Sequence, residues 1–323
     1  MSSFSVPEKF KFQCFAFAGF PLDSQVPAET EVIPGLWMLR RMPFQISSHW
    51  QHDLGSLRVD YLRRADFVLC AIASSDNPDV LDHENQALAV RLNAAFYGIL
   101  LQGVPYYDHA AISLAGGNPH GTPDVRQFAE VRNSYLADGM PYQRFGTSEI
   151  TQAARLGAAL AKVHDGGDQW QRFRRGLIAL IDGLRTRHGG DKLHQFVRAL
   201  EGLVKPEVAR TKRQFAHRCQ TFTGTSAMAK TALEQMFDIR SHVEHLHSPL
   251  EALSGETSVR IETANRRTRQ AEVLARWAFM RVLESPPLLE VFEGEAGIDA
   301  FWRRLDGDRA AMWGEVRDLE AIP

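Results

Sequence analysis

Residues 237–249 read Phe-Asp-Ile-Arg-Ser-His-Val-Glu-His-Leu-His-Ser-Pro, which places an arginine, three histidines and two acids within little more than two helical turns. Apolar residues at three- and four-residue steps run through this stretch and predict a helix with one buried face: Met236, Ile239, Val243 and Leu246. Pro249 disfavours helix at the residue before it, so we expect the helix to end near His247. The stretch therefore predicts a group of polar side chains at the end of a half-buried helix.

Arg240 and His245 are the two residues of this stretch whose chemistry suits an anion. A rotation of about 100° per residue separates them by roughly 140° around an ideal helix, so they flank the apolar face on opposite sides. They can line one cleft if the helix loosens at its end, or if a second copy of the chain completes the site. A phosphate group suits an arginine beside a histidine that a helix C-terminus helps to protonate.

Surface salt bridges and a zinc site are the alternatives to an anion site in this stretch. Asp238 and His242 are four residues apart, as are Arg240 and Glu244, so both pairs can be surface salt bridges of small energy. Zinc has to be considered because several histidines lie close together. Only His242 and His245 share a helix face, their order is not His-Glu-x-x-His, and no cysteine pair lies nearby. We therefore expect no metal and no cofactor.

The composition is typical of a soluble globular protein. Of its residues, 44% are hydrophobic and 24% are charged. The length of 323 residues is enough for two domains with sizeable cores. A formal charge of −2 gives no global basic field, so any nucleic-acid binding must come from a local patch. The apolar run at residues 67–73 is too short to cross a bilayer, and residues 1–7 lack the pattern of a signal peptide. Three widely spaced cysteines (Cys14, Cys70 and Cys219) indicate reduced core thiols, and we expect a cytoplasmic protein without membrane contact.

The hydrophobic periodicity divides the chain into two parts and predicts the α+β class. Residues 1–145 form a small mixed α/β domain, whose role the sequence leaves open. Its predicted strands lie within residues 9–14, 31–39, 67–73 and 110–115, and its predicted helix covers residues 81–102, from an Asp82 N-cap to a stop at Gly103.

Residues 146–323 form an all-α bundle with a C-terminal helical extension. The predicted helices cover residues 148–164, 169–188, 192–204, 207–222, 226–247 and 261–283. One or two short helices follow, with Trp302 and Trp313 as packing anchors.

The predicted helix at residues 261–283 is rich in arginine. Four of its arginines lie near the polar stretch in sequence: Arg266, Arg267, Arg269 and Arg276. A solvated helix face is the ordinary reason for such charges. The functional reason would be a basic surface beside Arg240 and His245, where contacts to phosphates would bind RNA without reading its bases.

The hexapeptide Arg240-Ser241-His242-Val243-Glu244-His245 resembles the Arg-x(4–6)-His motif of HEPN domains, in the Arg-Ser-x-x-x-His form of the Apea-like branch. The resemblance covers about residues 150–290. It also rests on Leu-Glu-Gly-Leu at residues 200–203, Arg-Gln-Phe-Ala at 213–216, the approach to the motif at 233–239, and the helix at 272–276.

The resemblance implies a metal-independent endoribonuclease that acts as a homodimer, with the two motifs facing a shared cleft. His245 would move a proton while a ribose 2′-hydroxyl attacks its own phosphate, and Arg240 would neutralise charge on the phosphoryl oxygens. Glu201, Ser241 or His242 would orient this pair. A protein regulator or antitoxin is a further expected partner.

One position departs from the Apea-like motif, which usually continues with glycine where this chain has Leu246. Because Leu246 falls on the apolar face, we expect the helix to run about one turn further. The departure favours a second class of function, a non-catalytic HEPN module that dimerises or senses a ligand or partner, as in bacterial conflict or antiphage systems. A third alternative is an enzyme in the first domain, where the sequence contains no recognisable pair of nucleophile and base.

Overall fold

The computed structural model describes residues 4–108 and 110–323, which form two compact units. The first comprises Met1–Asn133 and Tyr142–Ala161, and the second comprises Ser134–Pro141 and Lys162–Pro323. An antiparallel sheet precedes a run of helices, and this arrangement confirms the α+β prediction. Where the sequence predicted one division at residue 145, the chain passes between the units more than once.

The first unit is built on a six-stranded sheet whose order is β2-β3-β4-β1-β5-β6. The strands are β1 (Phe10–Phe17), β2 (Glu29–Ile33), β3 (Leu36–Leu39), β4 (Phe67–Ser74), β5 (Ile112–Asn118) and β6 (Asp124–Glu130). Strand β1 is central and pairs antiparallel with both β4 and β5. The four predicted strand segments all fall on observed strands, whereas β6 was not predicted.

Both faces of the sheet are covered, which explains the nearly continuous burial of β1. Phe12 and Cys14 pack with residues of helix α1 (Ser48–Arg64), which the sequence did not predict and which Gly55 interrupts at φ 74°. On the other face, the rings of Phe15 and Phe96 are 5.9 Å apart, and Phe96 belongs to helix α2 (His83–Gln102). As predicted, Asp82 caps α2 and Gly103 ends it.

Helix α3 (Thr147–Asp165) packs against α2 through two glycines. A Cβ atom on Gly98 would lie 2.0 Å from the carbonyl oxygen of Ala153. A Cβ atom on Gly157 would lie 2.7 Å from the backbone nitrogen of Ala95. The two backbones are therefore in direct contact, and no side chain fits between them.

The second unit contains eight further helices in its described residues. They are α4 (Gln171–Arg185), α5 (Gly189–Val204), α6 (Thr211–Thr223), α7 (Ala227–Glu244), α8 (Thr257–Glu284), α9 (Pro286–Phe292), α10 (Glu295–Arg303) and α11 (Asp306–Trp313). The C-terminal extension thus has three short helices, where the sequence predicted one or two. Trp302 and Trp313 are buried in it, as predicted. None of the helices in the described part of the chain has the length and apolar character that crossing a membrane requires.

The three cysteines are reduced and buried, as predicted from their spacing. Cys14 and Cys70 face each other on β1 and β4, and their sulfur atoms are 3.0 Å apart. Cys219 lies on α6 in the other unit. Burial raises the pKa of the Cys14 and Cys219 thiols well above the ordinary value.

A buried lysine ties residues 134–141 to the helices of the second unit. The Lys192 ammonium donates to the carbonyl oxygens of Tyr135 at 2.5 Å and Gly183 at 3.0 Å. Its nearest carboxylate is Glu272, 4.0 Å away, which also accepts a hydrogen bond from the Ala137 amide at 2.8 Å. Burial lowers the pKa of Lys192 from 10.5 to about 8, because desolvation outweighs the attraction of Glu272.

We expect this lysine to make the second unit more stable as the pH rises from about 8 to 10.5. In that window the unfolded chain still binds the proton that the folded chain has released, so the free energy of unfolding increases, by up to about 3 kcal/mol. Urea titrations of the wild type, Lys192→Met and Lys192→Arg across this range measure the effect. We expect the free energy of unfolding of the wild type to rise with pH relative to that of either variant. The same pH dependence in all three proteins would contradict a lowered pKa for Lys192. The comparison with the variants is needed because the raised pKa of the buried cysteines lowers the free energy of unfolding of all three proteins at high pH.

Candidate functional site

Helix α7 carries the Arg-x(4–6)-His stretch and ends at Glu244, earlier than predicted. Leu246 has φ 61° and is 94% exposed, so it does not continue the buried face. The Leu246 amide donates to the Val243 carbonyl at 3.0 Å, and the His247 amide donates to the His242 carbonyl at 2.9 Å. These two bonds define a Schellman C-cap, whose left-handed position is usually glycine. The prediction of a further helical turn is therefore wrong: Leu246 takes the backbone conformation that glycine would favour.

We expect Leu246→Gly to stabilise the second unit by about 0.5–1 kcal/mol, because glycine removes the left-handed strain at a site where leucine buries almost nothing. Urea unfolding measures the change. The matched control is Leu57→Gly, which removes another exposed leucine, 86% exposed, from a helical position of α1 where φ is not positive and glycine is a poor helix former. We expect this control to destabilise the protein, and equal effects of the two substitutions would contradict the strain argument.

Arg240 lies one turn before the end of α7 between two carboxylates. Its guanidinium is 3.2 Å from the Glu201 carboxylate on α5 and also pairs with Glu244. The Arg240 and Glu201 side chains are each 16% exposed, whereas Glu244 is 44% exposed. The fold thus joins two predicted site residues that are 39 positions apart in sequence. The Arg240–Glu244 salt bridge also forms, as its four-residue spacing predicted.

The surroundings of this ion pair shift the pKa of two neighbouring groups. Burial raises the pKa of Glu201, although the nearby Arg240 charge acts in the opposite direction. His194 on α5 faces the Arg240 carbonyl, with 3.4 Å between its Nδ1 and that oxygen, and burial lowers its pKa. A proton-accepting imidazole and a carboxylate of raised pKa thus border Arg240. The sequence reasoning missed His194, which lies far from the motif in the chain.

His245 occupies the C-cap of α7 and is exposed. Among the described residues, none forms a hydrogen bond or ion pair with its imidazole, so the single chain does not bring it into contact with Arg240 or Glu201. Ser241 is partly buried, and its carbonyl accepts the His245 amide at 3.2 Å. The Nδ1 atom of His242 is 2.9 Å from the Asp238 carbonyl oxygen.

Asp238 and His242 do not form the predicted side-chain pair, because the Asp238 carboxylate pairs with Lys212 at 2.7 Å. The imidazole rings of His242 and His247 are 6.1 Å apart and tilted by 65°. Across residues 4–108 and 110–323, no three His, Cys, Asp or Glu side chains are grouped to hold a metal ion.

The arginines of α8 do not form the predicted basic surface. Arg276 is 8% exposed and pairs with the buried Glu272, so its assignment to phosphate binding is wrong. Arg267 is half-buried and donates to Gln235 at 2.8 Å. Arg266 pairs with Glu320 at 2.9 Å, and Arg269 donates to the Asp138 carbonyl at 3.0 Å. Arg266 and Arg269 hold the C-terminal residues and residues 134–141 against α8.

A different group of arginines borders Glu201. Arg172 and Arg175 on α4 and Arg198 on α5 line a cleft of about 200 Å³ together with Glu201 and Glu295. The sequence reasoning gave these arginines no role, because Arg198 lies on a different helix and meets Arg172 and Arg175 only in the fold.

No family model, curated protein or solved structure matches this chain.

Proposed function

We propose that this protein is a metal-independent endoribonuclease whose reacting groups come from the end of α7. The observation that carries the proposal is the Arg240 guanidinium, held between Glu201 and Glu244 one turn before an exposed His245. Together they supply a positive charge held in place and an imidazole exposed to solvent. Phosphoryl transfer within RNA needs these two chemical functions and no redox group.

In the proposed reaction a ribose 2′-hydroxyl attacks the adjacent phosphorus atom. The bond to the 5′-oxygen breaks, leaving a cyclic phosphate on one fragment and a 5′-hydroxyl on the other. His245 moves a proton in this step, and Arg240 stabilises the charge on the phosphoryl oxygens. Glu201 is a positioning residue, because its carboxylate holds Arg240. Ser241 and His242 shape the helix end from which His245 projects.

A homodimer is part of the proposal because Arg240 and His245 make no contact within one chain. Two copies whose α7 ends face each other would bring the His245 of one protomer to the Arg240 of its partner. The left-handed turn at Leu246 supports this arrangement, since it ends the helix directly after His245 and leaves the imidazole uncovered.

The test is incubation of the purified protein with total RNA, with and without EDTA. The proposal expects cleavage that EDTA does not reduce, with products that carry a cyclic phosphate. Cleavage that EDTA abolishes would point to a metal-dependent enzyme, and intact RNA would remove the nuclease.

A non-catalytic ligand-sensing module is the second candidate, and a polar cavity in the first unit favours it. Gln13, Asn85, Asn93, Ser113 and Gln127 contribute to the lining of this cavity of about 340 Å³. The Gln13 amide donates to the Ser113 hydroxyl at 2.7 Å, and both side chains are buried. Buried amides and a hydroxyl suit an uncharged polar molecule such as a nucleoside or a sugar. Intact RNA together with thermal stabilisation by such a molecule would favour this function.

A further inference from the structure

The groove between α4 and α5 owes its shape to two glycines. A Cβ atom on Gly202 would lie 2.8 Å from the Cα atom of Gly176, so the two helix backbones touch at this crossing. Arg172, Arg175 and Gly176 lie on one face of α4, because they are three and four residues apart. Because neither glycine has a side chain, backbone atoms form the bottom of the groove and the arginines lie along its edge.

The positive charges at this groove are only partly neutralised. Arg172 pairs with Glu295 at 3.0 Å, and the same carboxylate also pairs with Lys205. Glu201 is held by Arg240 at 3.2 Å. Arg175 and Arg198 are exposed, and neither forms a salt bridge within the part of the chain that the structure describes. Two guanidinium groups therefore face the groove without a salt bridge to any described residue, while both acids that line it are paired with other cations.

The size of the groove limits what it can hold. Sites for drug-sized ligands measure roughly 300–1,000 Å³, whereas this cleft measures about 200 Å³. A single phosphate group presented from outside suits that volume better than a whole nucleotide. Guanidinium groups match phosphate oxygens with paired hydrogen bonds, which makes arginine suitable for such a site.

We propose that Arg175 and Arg198 bind a phosphodiester group of an RNA strand that continues past Glu201 toward Arg240. This inference rests on the proposed function, since it names the surface that guides the substrate to the end of α7. Glu201 connects the two places physically, because its side chain lines the groove and its carboxylate holds Arg240. The groove contacts backbone phosphates, so it contributes affinity without base preference.

The experiment measures binding of a fluorescent 2′-O-methyl RNA oligonucleotide, which lacks the attacking hydroxyl and cannot be cleaved by the proposed reaction. Fluorescence anisotropy compares the full-length wild type with Arg175→Ala/Arg198→Ala over a range of salt concentrations. We expect the double substitution to weaken binding about tenfold or more. We also expect the slope of log K against log salt to decrease in magnitude by about 1.4, as the loss of two phosphate contacts to a single strand requires.

Two control variants separate this site from a general loss of charge or fold. Arg213→Ala/Arg303→Ala removes two exposed arginines of the same unit that do not line the groove, and its binding should match the wild type. Arg175→Lys/Arg198→Lys keeps both charges and should recover part of the affinity. Circular dichroism and urea unfolding verify that each variant is folded.

Equal binding by the wild type and the alanine variant overturns the assignment of the groove, whatever the cleavage assay gives. Binding of pyrophosphate alone, without oligonucleotide binding, also overturns it, because the groove would then serve a free phosphate compound. Oligonucleotide binding that depends on Arg175 and Arg198, together with intact RNA in the cleavage assay, supports the groove and removes the nuclease. The two proposals can therefore fail separately.

Discussion

His245→Ala is expected to lower the rate of RNA cleavage about a thousandfold, the size of a typical general acid–base contribution. The imidazole is exposed and forms no hydrogen bond or ion pair with the residues that the structure describes, so the free energy of unfolding should stay close to that of the wild type. The measurement is the single-turnover rate on a defined RNA, with urea unfolding run on the same preparations. A variant that cleaves as fast as the wild type would contradict the proposed role.

His247→Ala is the matched control for this experiment. His247 is another exposed histidine, two residues further along the same helix end, and it has no role in the proposed reaction. We expect its loss to leave the cleavage rate unchanged. An equal loss in both variants would indicate that the helix end as a whole, rather than one imidazole, matters.

Arg240→Ala should lower the cleavage rate about a hundredfold or more, because the charge on the phosphoryl oxygens would lose its partner. This substitution also leaves the half-buried Glu201 carboxylate without a cation, so we expect it to destabilise the second unit. Arg240→Lys keeps the charge but loses the planar pair of donors. Its expected result is a stable protein with reduced cleavage, which separates the chemical role of Arg240 from its structural role.

Gly98→Ala is expected to destabilise the first unit by about 3 kcal/mol. The added methyl group would lie 2.0 Å from the carbonyl oxygen of Ala153, and backbone atoms of α3 cannot turn aside as a flexible side chain can. The two helices must separate or tilt, which opens the buried contact around Gly157. Urea unfolding followed by circular dichroism measures the change.

Gly189→Ala provides the comparison, because a Cβ atom there would have no neighbour within 4 Å. Alanine favours helix over glycine, so we expect this variant to be slightly more stable than the wild type. A Gly98→Ala protein as stable as the wild type would show that α2 and α3 do not pack as closely as described.

The periodicity of the sequence located most helices because each has a face that must be buried. Helix α7 is an example: Met236 and Ile239 are both buried, as their spacing predicts. The same reasoning failed at Leu246, because an apolar residue at the next step of the pattern need not be buried once the backbone turns. Helix α1 was missed for a related reason, since Gly55 interrupts it and its periodicity breaks there.

The candidate site was only partly accessible to sequence reasoning. The resemblance to HEPN domains pointed to Arg240 and Glu201, and these two side chains do form an ion pair. Arg175 and Arg198 carry no such signal, because they come together only when α4 crosses α5 at Gly176 and Gly202. Conversely, the arginines of α8 are clustered in sequence, but ion pairs and carbonyl contacts within the second unit occupy them.

The placement of the cysteines makes it possible to follow the opening of each unit without introducing a label. Cys14 and Cys70 lie on central strands of the first unit, and Cys219 lies in the second, all three shielded from solvent. A thiol-alkylating reagent can reach them only when the surrounding element opens. Alkylation rates assigned to individual peptides by mass spectrometry therefore report the opening of the sheet and the opening of the helices as two separate rates. The Gly98→Ala substitution should increase the alkylation rate of Cys14 and Cys70 and leave that of Cys219 unchanged.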